Sequence, residues 1–294
     1  MSAMKLVSVS MVKNEEYWIW YALTSVAPHV DEILVFDNHS TDRTVEIVRG
    51  MRHLGDKLVL FENFGGGDEH ANREAILAEA RRRGASHVLT LDGDEVWPDD
   101  GLAFCRRLLE VHEHVPALHD PPRNHGRPMD PTPTEGALIK NLAMRPICPG
   151  FDGPHMCRPA DYVGADTDHS AYNSLTRISS LANLRGNGLA WGSHGFLETG
   201  NLYIQSSPHT LWLPGLWFFH FSFHPRSSLR QPGSMQWLRR PTDHGSVPIH
   251  AHVHMPAALL RPDGPANPTL EAWGLIEPAP GRPRVRLQDL VATG

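Results

Sequence analysis

The sequence predicts an α/β fold: a mixed, mainly parallel sheet flanked by helices, followed by a loop-rich C-terminal region. Three observations carry that prediction. Over the first 115 residues, short apolar runs rich in β-branched residues alternate with stretches of helical spacing, the pattern of parallel strands joined by right-handed crossovers. Polar clusters follow three of these runs: Lys13-Asn14-Glu15-Glu16, Asp37-Asn38-His39-Ser40 and Asp92-Gly93-Asp94-Glu95. The chain of 294 residues, 40% hydrophobic and 20% charged, is large enough for one sizeable domain of ordinary globular composition.

The elements follow in order. Lys5 to Met11 alternates and reads as a strand. Glu16 to Val26 carries Trp18, Ile19, Tyr21, Ala22 and Val26 at helical spacing, and Pro28 ends it. Glu32 to Phe36 is a second strand. Ser40 or Thr41 is placed to cap a helix from Asp42 to Met51, with Asp42 favourable in its first turn. Lys57 to Phe61 is a third strand, and Gly65-Gly66-Gly67 a loop. Asp68 to Arg83 is a helix stopped by Gly84. His87 to Leu91 is a buried strand, and Asp99 to His112 a helix after Pro98.

The pattern then changes. Val115 to Asp168 is dense in Pro, Gly, His, Asn and Asp, which predicts long loops and a hairpin around Gly136 to Met144. Ser170 to Leu184 has weak helical spacing. Gly215 to Phe223 reads as a buried strand with His220 as its one polar residue besides Ser222, and Ser227 to Arg240 as a short helix. From Pro241 the chain is Pro-rich and is expected to lie as a peripheral tail. The division is therefore 1–115, 116–240 and 241–294, within one structural domain.

Composition excludes several classes. Net charge is -6, with no long basic run, so phosphate-backbone binding to nucleic acid is not its main business. The three cysteines are an odd number without zinc spacing, which suits a reducing compartment such as the cytoplasm. Met4 to Val12 is too short and polar for a signal peptide or membrane span, and no later stretch reaches spanning length. Lysine is confined to Lys5, Lys13, Lys57 and Lys140 and there are 25 prolines, a bias that points to a GC-rich, bacterial coding sequence.

In parallel sheets ligands bind at the carboxyl ends of strands, so the three polar clusters fall on one rim. Asp92 and Asp94 repel each other unless something positive sits between them. Gly93 lets a ligand approach the backbone. A divalent cation with hard oxygen ligands satisfies both, and a surface turn is the plainer reading of the same residues.

Residues 7–16 (VSVSMVKNEE), 36–44 (FDNHSTDRT) and 91–95 (LDGDE), in this order and spacing, resemble the three motifs of glycosyltransferase family 2, whose fold is GT-A. The last is similar to the D-x-D motif in its form with an added Glu. Beyond residue 115 the resemblance reduces to residues 219–223 (FHFSF), similar to the late strand that brings a histidine to the metal.

The resemblance implies a metal-dependent transfer of a sugar from a nucleoside diphosphate to a hydroxyl or amine. It implies Asp94 and His220 as metal ligands, Asp92 as a ligand through water or a ribose partner, and Mn²⁺ ahead of Mg²⁺ because of the imidazole. Asp37 would accept from the base. Val12, Asn14, Glu15 and Gly93 would flank the nucleoside, and Asn72 and Arg73 the sugar phosphate, although Arg73 also reads as a solvated helix residue. An inverting transfer needs a general base. The family's usual Glu-Asp pair is absent, so Asp161, Asp166, Asp168 and Glu198, with His194, stay open as candidates. A nucleotidyltransferase is disfavoured by Asn14-Glu15-Glu16, where such enzymes carry a Gly-rich basic loop. A sugar-nucleotide-binding protein without turnover is the other alternative. The acceptor is expected to be a bacterial natural product or a cell-surface glycan.

Overall fold

The structure is a computed structural model and describes residues 4–66, 69–111, 123–124, 127–128, 141–147, 149–150, 153–157, 175–180, 210–221, 224–229, 246–248 and 255–278. The strands are β1 (Leu6–Val12), β2 (Glu32–Asp37), β3 (Leu58–Phe61), β4 (His87–Thr90), β5 (Glu95–Val96), β6 (Arg123–Asn124), β7 (Arg127–Pro128), β8 (Asn141–Ile147), β9 (Pro149–Gly150), β10 (Gly153–Cys157), β11 (Leu175–Ser180), β12 (Thr210–His220) and β13 (Ser246–Pro248). The helices are α1 (Ile19–Val26), α2 (Thr44–Gly50), α3 (Glu69–Arg82), α4 (Asp99–Val111) and α5 (Pro268–Ala272).

One eight-stranded sheet organises the molecule, in the order β3-β2-β1-β4-β11-β8-β12-β5. Its first four strands are parallel, as their alternation with helices requires. β11 then runs antiparallel to both β4 and β8, and β12 runs parallel to β8. The mixed α/β class expected from the sequence is the class observed. Register puts the site's strands level. Val12 pairs with Asp37, and Val9 with Thr90, so the first three carboxyl ends share a rim. His220 pairs with Glu95, which brings β12 to the same place.

Alternation along β1 sends residues to opposite faces. Val7 and Val9 pack with Leu34, Phe36 and Val88 against Ile76, Leu77 and Ala80 of α3. Leu6, Ile33, Val35 and Leu89 belong to the larger core that holds α1 and Leu102, Cys105 and Leu109 of α4. α1 is buried on all sides. Each of its large side chains contributes about 1.5–3 kcal/mol by leaving water. α3 ends as predicted: Gly84 has φ 75°, Gly84 N donates to Arg81 O, and Ala85 N donates to Ala80 O. Those two bonds satisfy the last carbonyls through a left-handed residue that glycine adopts without strain.

Several expectations change. The helix expected from Glu16 begins at Ile19, because Trp18 N and Ile19 N both donate to Glu15 O in a preceding turn. The helix expected from Asp42 begins at Thr44, and Asp42 serves its first turn by accepting from Thr44 N, while Ser40 Oγ accepts from Asn14 N instead. The expected hairpin near Gly136 to Met144 is not local: β8 lies between β11 and β12, with Leu142 and Met144 fully buried. The weak helical spacing of Ser170 to Leu184 contains strand β11, whose pairing on both edges overrides propensity. Of the helix expected from Ser227 to Arg240, Ser228 and Leu229 form a turn, and 230–240 lie outside the described residues.

The tail is also more than a surface strap. Leu259 and Leu270 are fully buried in the main core. Tyr21 Oη donates to Pro265 O at 2.8 Å, and Asn267 Nδ2 donates to Tyr17 O at 2.7 Å. Burial first, then Glu271 and Asp263, pushes the Tyr21 hydroxyl far up, so it stays a donor at every ordinary pH. Among the described residues no helix is long and apolar enough to cross a membrane.

Cys105 tests the packing of α4. It is fully buried, with Sγ 3.8 Å from Met144 Sδ on β8, and burial pushes its thiol up to about 12. Only the thiolate attacks an alkylating reagent. Iodoacetamide at pH 8 is therefore expected to leave the Cys105 peptide unmodified in the native protein and to label it after unfolding, as peptide mass spectrometry would show.

Candidate functional site

The three N-terminal polar clusters meet at the carboxyl rim, and each is held by backbone that the turns leave unpaired. Asn14 sits at φ 55°. Its N–H donates to Ser40 Oγ at 2.9 Å, and its Oδ1 accepts from Thr41 N at 2.8 Å. Asn is one of the few residues that takes this left-handed conformation readily, since its short amide bonds locally. Glu15 N donates to Thr44 Oγ1, and Glu16 N to Asp42 Oδ2. The Asn14-Glu15-Glu16 turn is thus sewn to the 40–44 loop.

Asp37 ends β2 almost fully buried, with both carboxylate oxygens 3.2 Å from Ser40 N. Asn38 N donates to Val12 O, and Phe64 N to Asp37 O. Gly65 has φ 99°, and a Cβ there would lie 3.0 Å from Asn38 Oδ1 and 3.1 Å from Asn72 Nδ2. Asn72 is thereby brought beside the Asp37 loop. Arg73 is buried, which overturns its reading as a solvated helix arginine.

The acidic turn after β4 divides its carboxylates. Asp92, Glu95 and His220 each offer a ligand atom, and these atoms lie within 4.8 Å of one another. Glu95 also accepts from Asp92 N at 3.3 Å. Asp94 is turned beneath the rim and fully buried. Its Oδ2 lies 2.6 Å from Arg226 Nη2 and 3.5 Å from His220 Nε2. Arg226 Nη1 reaches Glu15 Oε1 at 2.9 Å. Burial by itself raises the Asp94 carboxyl, but Arg226 and then His220 outweigh it and hold the group below the ordinary carboxylate range. Burial opposes the His220 imidazolium, and Asp94 outweighs that and holds it above its ordinary value.

Of the ligands expected from the sequence, Asp92 and His220 therefore stand in one group. Glu95, the added Glu of the motif, stands where Asp94 was expected. The residues fit a divalent cation: two hard carboxylate donors and one imidazole converge, a set that suits Mn²⁺ better than Mg²⁺. Charge agrees: among the described residues, the carboxylates of Glu15, Asp92, Asp94 and Glu95 gather about Arg226 and His220. Asp161, Asp166, Asp168, His194 and Glu198 lie outside the described residues.

Two features escaped the sequence reading. Arg226 carries no spacing signal relative to Asp94 or Glu15, from which it is far in the chain. Glu16 accepts from Ser228 N at 2.6 Å and Ser227 Oγ at 3.3 Å, so the second Glu of the first motif anchors the segment after β12.

Gly93 has a steric role in this packing. A Cβ there would lie 2.6 Å from Glu15 Cγ and 3.0 Å from Glu15 Cβ. Glu15 cannot retreat, because Thr44 and Arg226 hold both its ends. Gly93→Ala is expected to destabilise the fold by about 1–3 kcal/mol, read from the denaturant midpoint.

Residues 9–129 match the family model described as Glycosyl transferase family 2. That span takes in residues 36–44 and 91–95 and most of 7–16, the three stretches that carry the resemblance. No curated protein matches the chain. Among solved structures it is similar to S. aureus TarS 1-349 in complex with UDP-GlcNAc, at 17% identity and TM-score 0.44, over 74% of this chain and 58% of that one. It is also similar to the mannosyltransferase PcManGT from Pyrobaculum calidifontis in complex with GDP-Man and Mn²⁺, at 17% identity and TM-score 0.41, over 74% of this chain and 57% of that one. The chain thus spans less than two thirds of the length of either.

Proposed function

We propose that this chain is a metal-dependent glycosyltransferase that moves a sugar from a UDP-, dTDP- or GDP-sugar to an acceptor hydroxyl or amine. One observation carries the reading: Asp92, Glu95 and His220 converge at the carboxyl rim that also holds Asp37 and Asn14. A divalent cation bound there would offset the charge that develops on a departing diphosphate. Asp92 serves as the outer carboxylate of the D-x-D motif, and Asp94 as its buried brace. Asp37 accepts from the base, most simply uracil N3–H. Val12, Asn14, Glu15 and Gly93 shape the floor of the nucleoside site. Asn72 and Arg73 border the sugar phosphate. The transfer is inverting, with its general base among Asp166, Asp168 and Glu198. The acceptor is a bacterial natural product or a cell-surface glycan, met in the cytoplasm.

The test is release of nucleoside diphosphate from a panel of UDP-, dTDP- and GDP-sugars, with Mn²⁺, with Mg²⁺ and with EDTA. The expected result is turnover of one donor class that EDTA abolishes. Donor binding without turnover of any sugar would support a sugar-nucleotide-binding protein. Pyrophosphate release from a sugar phosphate and a nucleoside triphosphate would support a nucleotidyltransferase.

A further inference from the structure

We infer that Arg226 is a positioning residue that keeps Asp94 out of the cation site, leaving Asp92, Glu95 and His220 to hold a divalent cation alone. The inference rests on the cation reading above. Ligand atoms at adjacent corners of an octahedral ion with bonds near 2.1 Å lie roughly 3 Å apart. Asp94 Oδ2, at 3.5 Å from His220 Nε2, is close enough to share an ion with that imidazole after a small shift. The same Oδ2 is instead 2.6 Å from Arg226 Nη2. A guanidinium and a divalent ion compete for one carboxylate oxygen and repel each other across it.

Arg226 cannot easily leave. Its segment is tied to the first motif by bonds that involve neither Asp94 nor the cation group. Tyr17 N donates to Arg226 O at 3.0 Å, and Trp18 Nε1 donates to Pro225 O at 2.7 Å. Glu16 accepts from the N–H of Ser228 at 2.6 Å. The guanidinium is thus a fixed internal cation, shared between Asp94 and Glu15. Its charge lowers the affinity of the nucleotide-free site, and cation uptake then depends on oxygens that a donor diphosphate brings.

The experiment measures Mn²⁺ binding to the full chain without nucleotide, by electron paramagnetic resonance of free Mn²⁺. Arg226→Met is expected to bind Mn²⁺ about ten-fold tighter than wild type or more, because a repelling charge goes and Asp94 becomes available. Asp94→Asn combined with Arg226→Met is expected to return the affinity toward wild type. A role in folding alone predicts weaker binding, so unchanged or weaker binding by a natively folded Arg226→Met overturns the inference. Should Arg226→Met be unfolded, recovery of its native circular dichroism on adding Mn²⁺ supports the inference, and no recovery overturns it. Wild type that binds Mn²⁺ with UDP or GDP, beside an Arg226→Met that gains nothing, overturns the inference alone. Wild type that binds no Mn²⁺ even with either nucleotide overturns the cation reading and this inference together.

Discussion

Glu95→Gln is expected to lower donor turnover by about 100-fold or more while leaving the unfolding midpoint unchanged or higher. Glu95 is fully buried and its carboxylate lies with those of Asp92 and His220's imidazole. The amide keeps an acceptor for Asp92 N, so the turn retains its hydrogen bond. What goes is one negative charge among several, which relieves repulsion in the empty site and weakens its hold on a cation. Asp94→Asn is the informative contrast. It takes from Arg226 its closest partner, at 2.6 Å, and is expected to appear first as a fall in the unfolding midpoint. Turnover with Mn²⁺ titrated, beside thermal melts of both variants, separates the two roles. Equal loss of turnover with equal stability in both would mean that Asp94 is a direct ligand after all.

That contrast also marks where the sequence stops being informative. The strands from Leu6 to Thr90 were readable because their signal is local: apolar runs, a breaker such as Gly84, and a polar cluster after three of the four runs. The rim was readable because parallel strands place their carboxyl ends together. Which of Asp94 and Glu95 joins Asp92 and His220 is not local. It depends on β5 pairing with β12, which sets Glu95 opposite His220, and on Arg226 arriving beneath the turn. β8 and β11 were unreadable for a similar reason. Thr, Arg and Ser in β11 carry no strand pattern of their own, and its neighbours β4 and β8 supply the order. The Pro-rich composition after residue 241 concealed Leu259 and Leu270, because a buried anchor needs only a few apolar residues at the right depth.

Trp18→Ala is expected to cost about 3–5 kcal/mol of stability, the largest loss for a single side chain here. Trp18 is fully buried and lies parallel to Phe221, ring centroids 3.8 Å apart at 11°. Phe221 follows His220 directly, and its N–H donates to Asp94 O at 2.9 Å. His224 meets Trp18 edge-on at 6.1 Å and Trp273 at 5.2 Å. This aromatic column joins the first motif, the histidine strand and the C-terminal segment, three regions that sequence order keeps apart. Truncation removes the stack, leaves a cavity and strands the Pro225 carbonyl that Trp18 Nε1 now satisfies. Trp18→Phe keeps most of the stack and loses only the indole N–H, so it is expected to cost about 1 kcal/mol. Urea midpoints rank the three proteins, and Mn²⁺ affinity with bound UDP or GDP gives the second reading. If the column positions the site, affinity falls with Trp18→Ala even at temperatures where the variant is folded. If affinity holds while stability drops, the column is core packing, and the hydrogen bonds of Glu16 to Ser227 and Ser228 are enough to keep His220 over Asp92 and Glu95.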